Sequence, residues 1–249
     1  MMRSRIHRAV RRLALLTLAA PVWLLLPADG DDSPRVGPSV ASAQAPTDKP
    51  GRTPRRKPEE TAPAPVLPPS QQAEVQRVEQ YLNSVRSLQA RFSQTGSDGR
   101  TAPGTLSLQR PGRMRFEYDP PATILIVADG SQVTLADFKD KSMSQWPLGW
   151  TSASFLAAEQ VKLSGDLTVT NVARSAGELR VTVIQTKRPQ EGRVELLFAT
   201  DPVLLKGWTV WDAKSVPVTV ALTNLRTGVD LARDLFRFDE SQLKRDRFQ

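Results

Sequence analysis

Glu117 and Asp119 stand two residues apart at the end of an alternating apolar–polar run, a carboxylate pair of the kind that can do acid–base work. Pro120-Pro121 follows at once, and two acids beside such a turn read as plain solvated residues. Asp137 and Asp140, beside Lys139 and Lys141, read as loop acids in the same way. The chain has no cysteine, which excludes disulfides, thiolate catalysis, thiolate metal sites and lipidation at an N-terminal cysteine. Its single histidine is His7, so the rest of the chain lacks the commonest general base and the commonest zinc ligand. No phosphate-cradling glycine loop, dinucleotide fingerprint or nucleophile elbow occurs. Carboxylate-only and Ser–Lys chemistry survive this filter, but no such constellation assembles. The residues predict no catalytic site, no metal and no cofactor.

The formal charge of +8 invites a nucleic-acid reading that a count by region weakens. Residues 71–249 hold 23 Lys or Arg against 20 Asp or Glu, so the excess lies mostly upstream. Nucleic-acid binding needs a concentrated basic face. The one dense run, Arg55-Arg56-Lys57, reads as a solvated linker, with weak attraction to anionic membrane surfaces as the alternative.

Stepping outward from these residues, the chain divides into three parts. Residues 1–43 have the form of a signal peptide: Arg3, Arg5, Arg8, Arg11 and Arg12, then an apolar run from Leu13 to Leu26, then the small-x-small pattern Ala41-Ser42-Ala43. The apolar run is shorter than the roughly 20 residues of a membrane span and contains Pro21. Cleavage predicts a mature chain from near Gln44; the alternative is a retained N-terminal anchor. Asp29, Asp31 and Asp32 precede that cleavage point and make no calcium site. Residues 44–70 contain eight prolines and read as an extended, disordered spacer. A single folded domain is expected over 71–249.

Within that domain Val75, Val78, Leu82, Val85 and Leu88 recur at three- and four-residue steps and predict a helix over 71–87. The period then changes to two. Ala90–Thr95 alternates, Leu106 and Leu108 mark a second strand, and Arg113–Tyr118 places charges on one face and large apolar groups on the other. Thr123–Ala128 and Gln132–Ala136 join through Asp129-Gly130-Ser131 as a hairpin. A short helix is expected at 151–158, capped by Thr151 or Ser152, with Phe155 and Leu156 on its buried side. Strands follow near 166–173, 178–186, 192–199, 203–212 and 215–225, where Val216, Val218, Val220 and Leu222 share a face. Asp230 is placed to cap one more helical turn before Phe236. The fold class is mainly β (α+β), an antiparallel sheet of about ten or eleven strands with one apolar face.

The distinctive residues are therefore apolar and aromatic: Met114, Phe116 and Tyr118 on one strand face, with Trp146, Trp150, Trp208 and Trp211 further along. Two readings stay open on pattern alone. They form the core of a sandwich or closed barrel, or they line a hollow that takes an apolar ligand.

Three stretches resemble the periplasmic outer-membrane lipoprotein carrier family of Gram-negative bacteria. They are Ser87-Leu88-Gln89-Ala90-Arg91-Phe92-Ser93-Gln94-Thr95, the run Gly104-x-Leu106-x-Leu108-x-Arg110-Pro111-x-x-Met114-Arg115-Phe116-Glu117-Tyr118, and Asn224-Leu225-Arg226-x-Gly228-x-Asp230 leading to Phe236-Arg237-Phe238. The resemblance implies an incomplete antiparallel β-barrel of about 11 strands with a lid of short helices. It implies a concave face that takes the acyl chains of lipoproteins from an inner-membrane ATP-driven releasing complex and passes them to an outer-membrane lipoprotein acceptor. The carrier is expected to be a periplasmic monomer without nucleic acid. Arg110 matches the arginine that holds the empty family carrier closed, and Met114, Phe116 and Tyr118 match the aromatic strand beneath the lid. Leu82, Leu106 and Phe155 join them as the expected ligand lining. Met114 departs from the larger aromatic common at its position, and the proline-rich arm is not a general family feature. A half-barrel carrier or sensor for another lipid or glycolipid of the envelope is the alternative within the same fold.

Overall fold

The computed structural model describes residues 67–150 and 154–244. The predicted signal peptide, most of the proline-rich arm, and the expected caps Thr151 and Ser152 lie outside them. One α-helix, α1 (Pro69–Ser84), precedes eleven strands: β1 (Ser87–Thr95), β2 (Thr101–Gln109), β3 (Arg113–Tyr118), β4 (Ile124–Asp129), β5 (Gln132–Asp137), β6 (Ser142–Pro147), β7 (Leu167–Ser175), β8 (Glu178–Gln185), β9 (Gly192–Thr200), β10 (Val203–Asp212) and β11 (Pro217–Thr227). Every pairing is antiparallel, in the order β6-β5-β4-β3-β2-β1-β11-β10-β9-β8-β7. The sheet is open: β6 and β7 are its two edges, and the chain between them crosses without pairing them.

Alternation along each strand sends one set of side chains to a common face. In register across the middle of the sheet lie Leu88 and Leu108, Ala90 and Leu106, Phe92 and Leu222, Phe116 and Ile126, and Trp208 and Leu196, all buried. Phe92 is the hub. Its ring meets Phe116 edge-on at 5.4 Å and Tyr118 at 5.0 Å, and Phe116 in turn meets Trp208 at 6.4 Å. The Tyr118 hydroxyl donates to Gln94 Oε1 at 2.7 Å, which satisfies it, and burial raises its phenol far above the ordinary range.

Sequence period places most elements correctly, and the exceptions have physical causes. The helix stops at Ser84, whose hydroxyl donates back to the Tyr81 carbonyl at 2.7 Å. Val85 is extended and Leu88 already belongs to β1, so the apolar stripe predicted to 87 joins a helix face to a strand face. At its other end the helix takes in Pro69 and Ser70, the last residues of the predicted arm, with proline in the first turn, where no N–H is missed. Strand β6 was not anticipated, because SMSQWP carries only Met143 and Trp146 as apolar residues; pairing with β5 defines it. Asp230 caps nothing: the helical turn is a 3₁₀ turn over Arg233–Phe236 whose N-cap is Ala232. Val216 lies outside β11 and is exposed, while Val218, Val220 and Leu222 are buried.

Nor is the sheet apolar on one face alone. Ile124–Ala128 of β4 is buried on both sides. On the second face Leu125, Val127, Ala136 and Phe138 form a separate cluster, covered by Phe238 and Leu243 of the C-terminal segment. Arg115, on the face expected to be polar, is buried beneath the same segment; its Nε donates to Glu117 at 3.0 Å and its Nη1 to the Leu235 carbonyl at 3.2 Å.

Two glycines sit where neighbouring strands approach closely. At Gly104 of β2 a Cβ would lie 2.5 Å from the Phe92 ring and 2.4 Å from the Glu117 carbonyl oxygen. Gly207, at a register shift between β10 and β9, has φ +153° and lies against the Val220 carbonyl. Gly104→Ala is therefore expected to lower stability by about 1–3 kcal/mol through forced repacking of Phe92. Gly149→Ala, where a Cβ meets nothing within 4 Å, should stay within about 0.5 kcal/mol of the parent in urea denaturation.

Candidate functional site

The concave face is covered from two sides. From one comes α1, which lays Val78 and Leu82 onto the sheet and sets Tyr81 edge-on to Phe198 at 6.1 Å. From the other comes the β6–β7 connection, with 3₁₀ turns at Leu148–Trp150 and Ser154–Ala157, which buries Leu156, Ala157, Val161 and Leu163 in the same core. Between these covers and the sheet remains a hollow lined by Tyr81, Leu82, Val85, Leu88, Leu106, Leu108, Arg110, Met114, Leu156, Leu205 and Trp208. Its free volume is about 20 Å³. That is room for one water molecule, against roughly 300–1,000 Å³ in ordinary ligand pockets. As it stands the hollow is too small for a ligand of ordinary size.

Polar contacts hold the connection down. Arg110 Nη1 donates to the Ala158 carbonyl at 2.9 Å, and the Gly112 N–H donates to the Ala157 carbonyl at 2.7 Å. The Asn83 carboxamide bonds Val161 twice, Nδ2 donating to its carbonyl at 2.9 Å and Oδ1 accepting from its N–H at 2.8 Å. Glu79 Oε1 accepts from the Leu163 N–H at 2.6 Å. Arg110 is the one cation in the set. It is 9% exposed, and no carboxylate among the described residues comes within ion-pair distance of it. Burial, helped by the like charge of Arg86, lowers its guanidinium to about 10, so it keeps its proton at neutral pH at a desolvation cost.

Of the residues singled out in the sequence, Leu82, Leu106, Met114 and Arg110 share this hollow. Phe116 and Tyr118 form the buried floor beside it, and Phe155 turns to a second small hollow with Leu167, Val183 and Val194, leaving Leu156 beneath the lid. Trp146 and Trp208 are in the core, whereas Trp211 lies on the opposite face with the Arg193 guanidinium 4.1 Å from its ring. The carboxylates are engaged elsewhere. Asp119 pairs with Arg91, whose hydrogen bond holds it below the usual carboxylate range, and Glu117 accepts from Arg115. Both border an outer cleft of about 280 Å³ with Thr105, Leu125 and Phe138. Asp137 accepts from Thr123 and the Lys139 N–H, as a turn residue does.

Asn83 and Glu79 escaped the sequence reading. The usable signal was their i,i+4 spacing on a helix, which puts two polar groups on one face beside the apolar stripe. Asn83→Ala should cost the lid about 1–2 kcal/mol. Hydrogen exchange at the Val161 and Leu163 amides should accelerate roughly five- to thirty-fold, with the β9 amides unchanged.

The described helix is not long and apolar enough to cross a membrane. Comparison with known proteins extends the geometry. Residues 83–239 match the family described as outer membrane lipoprotein carrier protein LolA. An outer-membrane lipoprotein carrier protein of Legionella pneumophila is 27% identical over 178 residues, covering 68% of this chain and 86% of that one. One from Methylococcus capsulatus is 28% identical over 170 residues, covering 65% and 81%. Among solved structures, a LolA superfamily protein from Nitrosomonas europaea aligns with a TM-score of 0.39 at 9% identity, covering 66% of this chain and 97% of that one. With the matched region running from the end of α1 to the C-terminal segment over the second face, the chain belongs to the outer membrane lipoprotein carrier protein family.

Proposed function

We propose that this protein is a periplasmic carrier that shelters the acyl chains of lipoproteins on its concave face. In this reading the leader up to about Ala43 exports the chain and is removed. The carrier, a monomer, accepts its cargo from an inner-membrane ATP-driven releasing complex and surrenders it to a lipidated acceptor at the outer membrane. The observation that supports it most is a broad apolar sheet face kept under a lid by five hydrogen bonds, with little space left between.

The magnitudes favour exchange between a closed empty state and an open loaded one. Moving one long acyl chain from water to an apolar surface yields roughly 10 kcal/mol at about 0.8 kcal/mol per CH₂. Five lid bonds at about 0.5–1.5 kcal/mol each sum to a few kcal/mol. Cargo therefore opens the lid, and closure of the lid offsets part of the cost when cargo leaves. Leu82, Leu106, Met114 and Leu156 exchange lid contacts for acyl contacts, with Phe116 and Tyr118 as the floor beneath. Met114 suits this role, since its flexible thioether repacks more readily than an aromatic ring.

Mass spectrometry of material co-purifying with the protein from the periplasm tests the reading. Triacylated lipoproteins should be recovered, and recovery of free phospholipid or glycolipid alone would overturn the proposed cargo. Arg110→Leu should retain the sheet's circular dichroism yet slow cargo release by roughly tenfold or more, as expected for losing one charge-assisted bond. Transfer at the parent rate would sink the latch assignment.

A further inference from the structure

Three polar groups at the hollow have no partner among the described residues. They are the Tyr81 hydroxyl, the Arg110 Nε–H and the Trp208 indole N–H, all shielded from solvent. Each belongs to a residue lining the hollow between Leu106, Met114 and Leu156. Trp208 is only 3% exposed. Burial raises the Tyr81 phenol; the nearby Leu205 backbone opposes this in part without completing a hydrogen bond. Gln109, Trp146 and Gln242 also carry an unpartnered buried atom, but none of them lines this hollow.

An unpaired buried donor costs about 1–3 kcal/mol, and folded interiors hold few of them. Phenylalanine at 81 would fill nearly the same space without that cost. A hydrocarbon chain could not repay it, because it offers no acceptor. The arginine Nε–H and the indole N–H can only donate, and the tyrosine hydroxyl can donate as well. Their complement is an oxygen acceptor carried into an otherwise apolar site.

We infer that the hollow recognises the acyl carbonyl at the head of a bound chain, with Trp208, Arg110 and Tyr81 supplying donors to its oxygen. The inference rests on the carrier reading and narrows its ligand class to ester- or amide-linked acyl groups, as opposed to alkyl chains in general. Arg110 then has two uses. Its Nη1 holds the Ala158 carbonyl in the closed state, while its Nε is free to meet the incoming carbonyl before that bond is given up. Met114, Leu106 and Leu108 surround the donors with apolar surface, which strengthens each hydrogen bond by excluding water.

Competition binding against a fluorescent apolar dye, with the full chain, decides the matter. The probes are a dipalmitoyl glycerol ester and the dialkyl ether of equal chain length. The ester should bind on the order of tenfold tighter than the ether. In Tyr81→Phe and Trp208→Phe the ester-to-ether ratio should fall toward one, whatever happens to overall affinity. Equal binding of ester and ether by the parent protein would overturn the inference while leaving an acyl-chain carrier intact. An undiminished ratio in both variants would overturn the assignment of these donors. Failure of every probe to bind would overturn the carrier reading and this inference together.

Discussion

Everything in this molecule turns on an apolar sheet face that its own sheet does not enclose. A closed barrel covers its interior by pairing its first and last strands. Here β6 and β7 remain apart, and the face between them is covered instead by a helix and a connection that belong to neither edge. Burying Phe92, Phe116, Leu196 and Trp208 stabilises the fold only while those covers are in place, or while something of like polarity replaces them. The requirement for a cover is physical. Here α1 and the β6–β7 connection meet it.

The covers and the sheet are joined in different ways, and the difference sets what can move. Strand is joined to strand by ladders of backbone hydrogen bonds running the length of each element. The lid is joined by isolated bonds from Arg110, Gly112, Asn83 and Glu79 over a layer of aliphatic contacts. Isolated bonds break one at a time, at modest cost, whereas a ladder resists opening as a unit. The second face shows the opposite arrangement. There the C-terminal segment packs Phe238 edge-on to Phe138 at 6.5 Å and accepts a hydrogen bond from the buried Arg115, which backs β3 and β4 where the floor of the hollow lies. One side of the sheet is backed by ring packing and a buried guanidinium, the other by isolated bonds over aliphatic contacts.

Membership of the lipoprotein carrier family fits this arrangement. If the donors of Tyr81, Arg110 and Trp208 meet an acyl carbonyl as proposed, they would recognise the linkage while the chain itself is held by non-directional contacts, so that grip and selectivity would be set by different atoms.

The amino-acid sequence by itself determined the strands and the faces they present. Period-two alternation in Arg113–Tyr118 and Val218–Leu222 and the turn residues Asp129-Gly130 are local properties, and each is found where local physics puts it. It could not determine where the helix stripe ended, because Val78, Leu82, Val85 and Leu88 reach one core from two elements whose periods overlap over a single turn. Nor could it show that Arg115 is buried, that β6 is a strand, or that Leu156 and not Phe155 faces the hollow. Each depends on a partner distant in sequence: the C-terminal segment, strand β5, and the sheet beneath the lid. The latch was decided by tertiary structure for the same reason. Asn83 and Glu79 are unremarkable polar residues on a helix until the fold brings Val161 and Leu163, about eighty positions away, within hydrogen-bond reach.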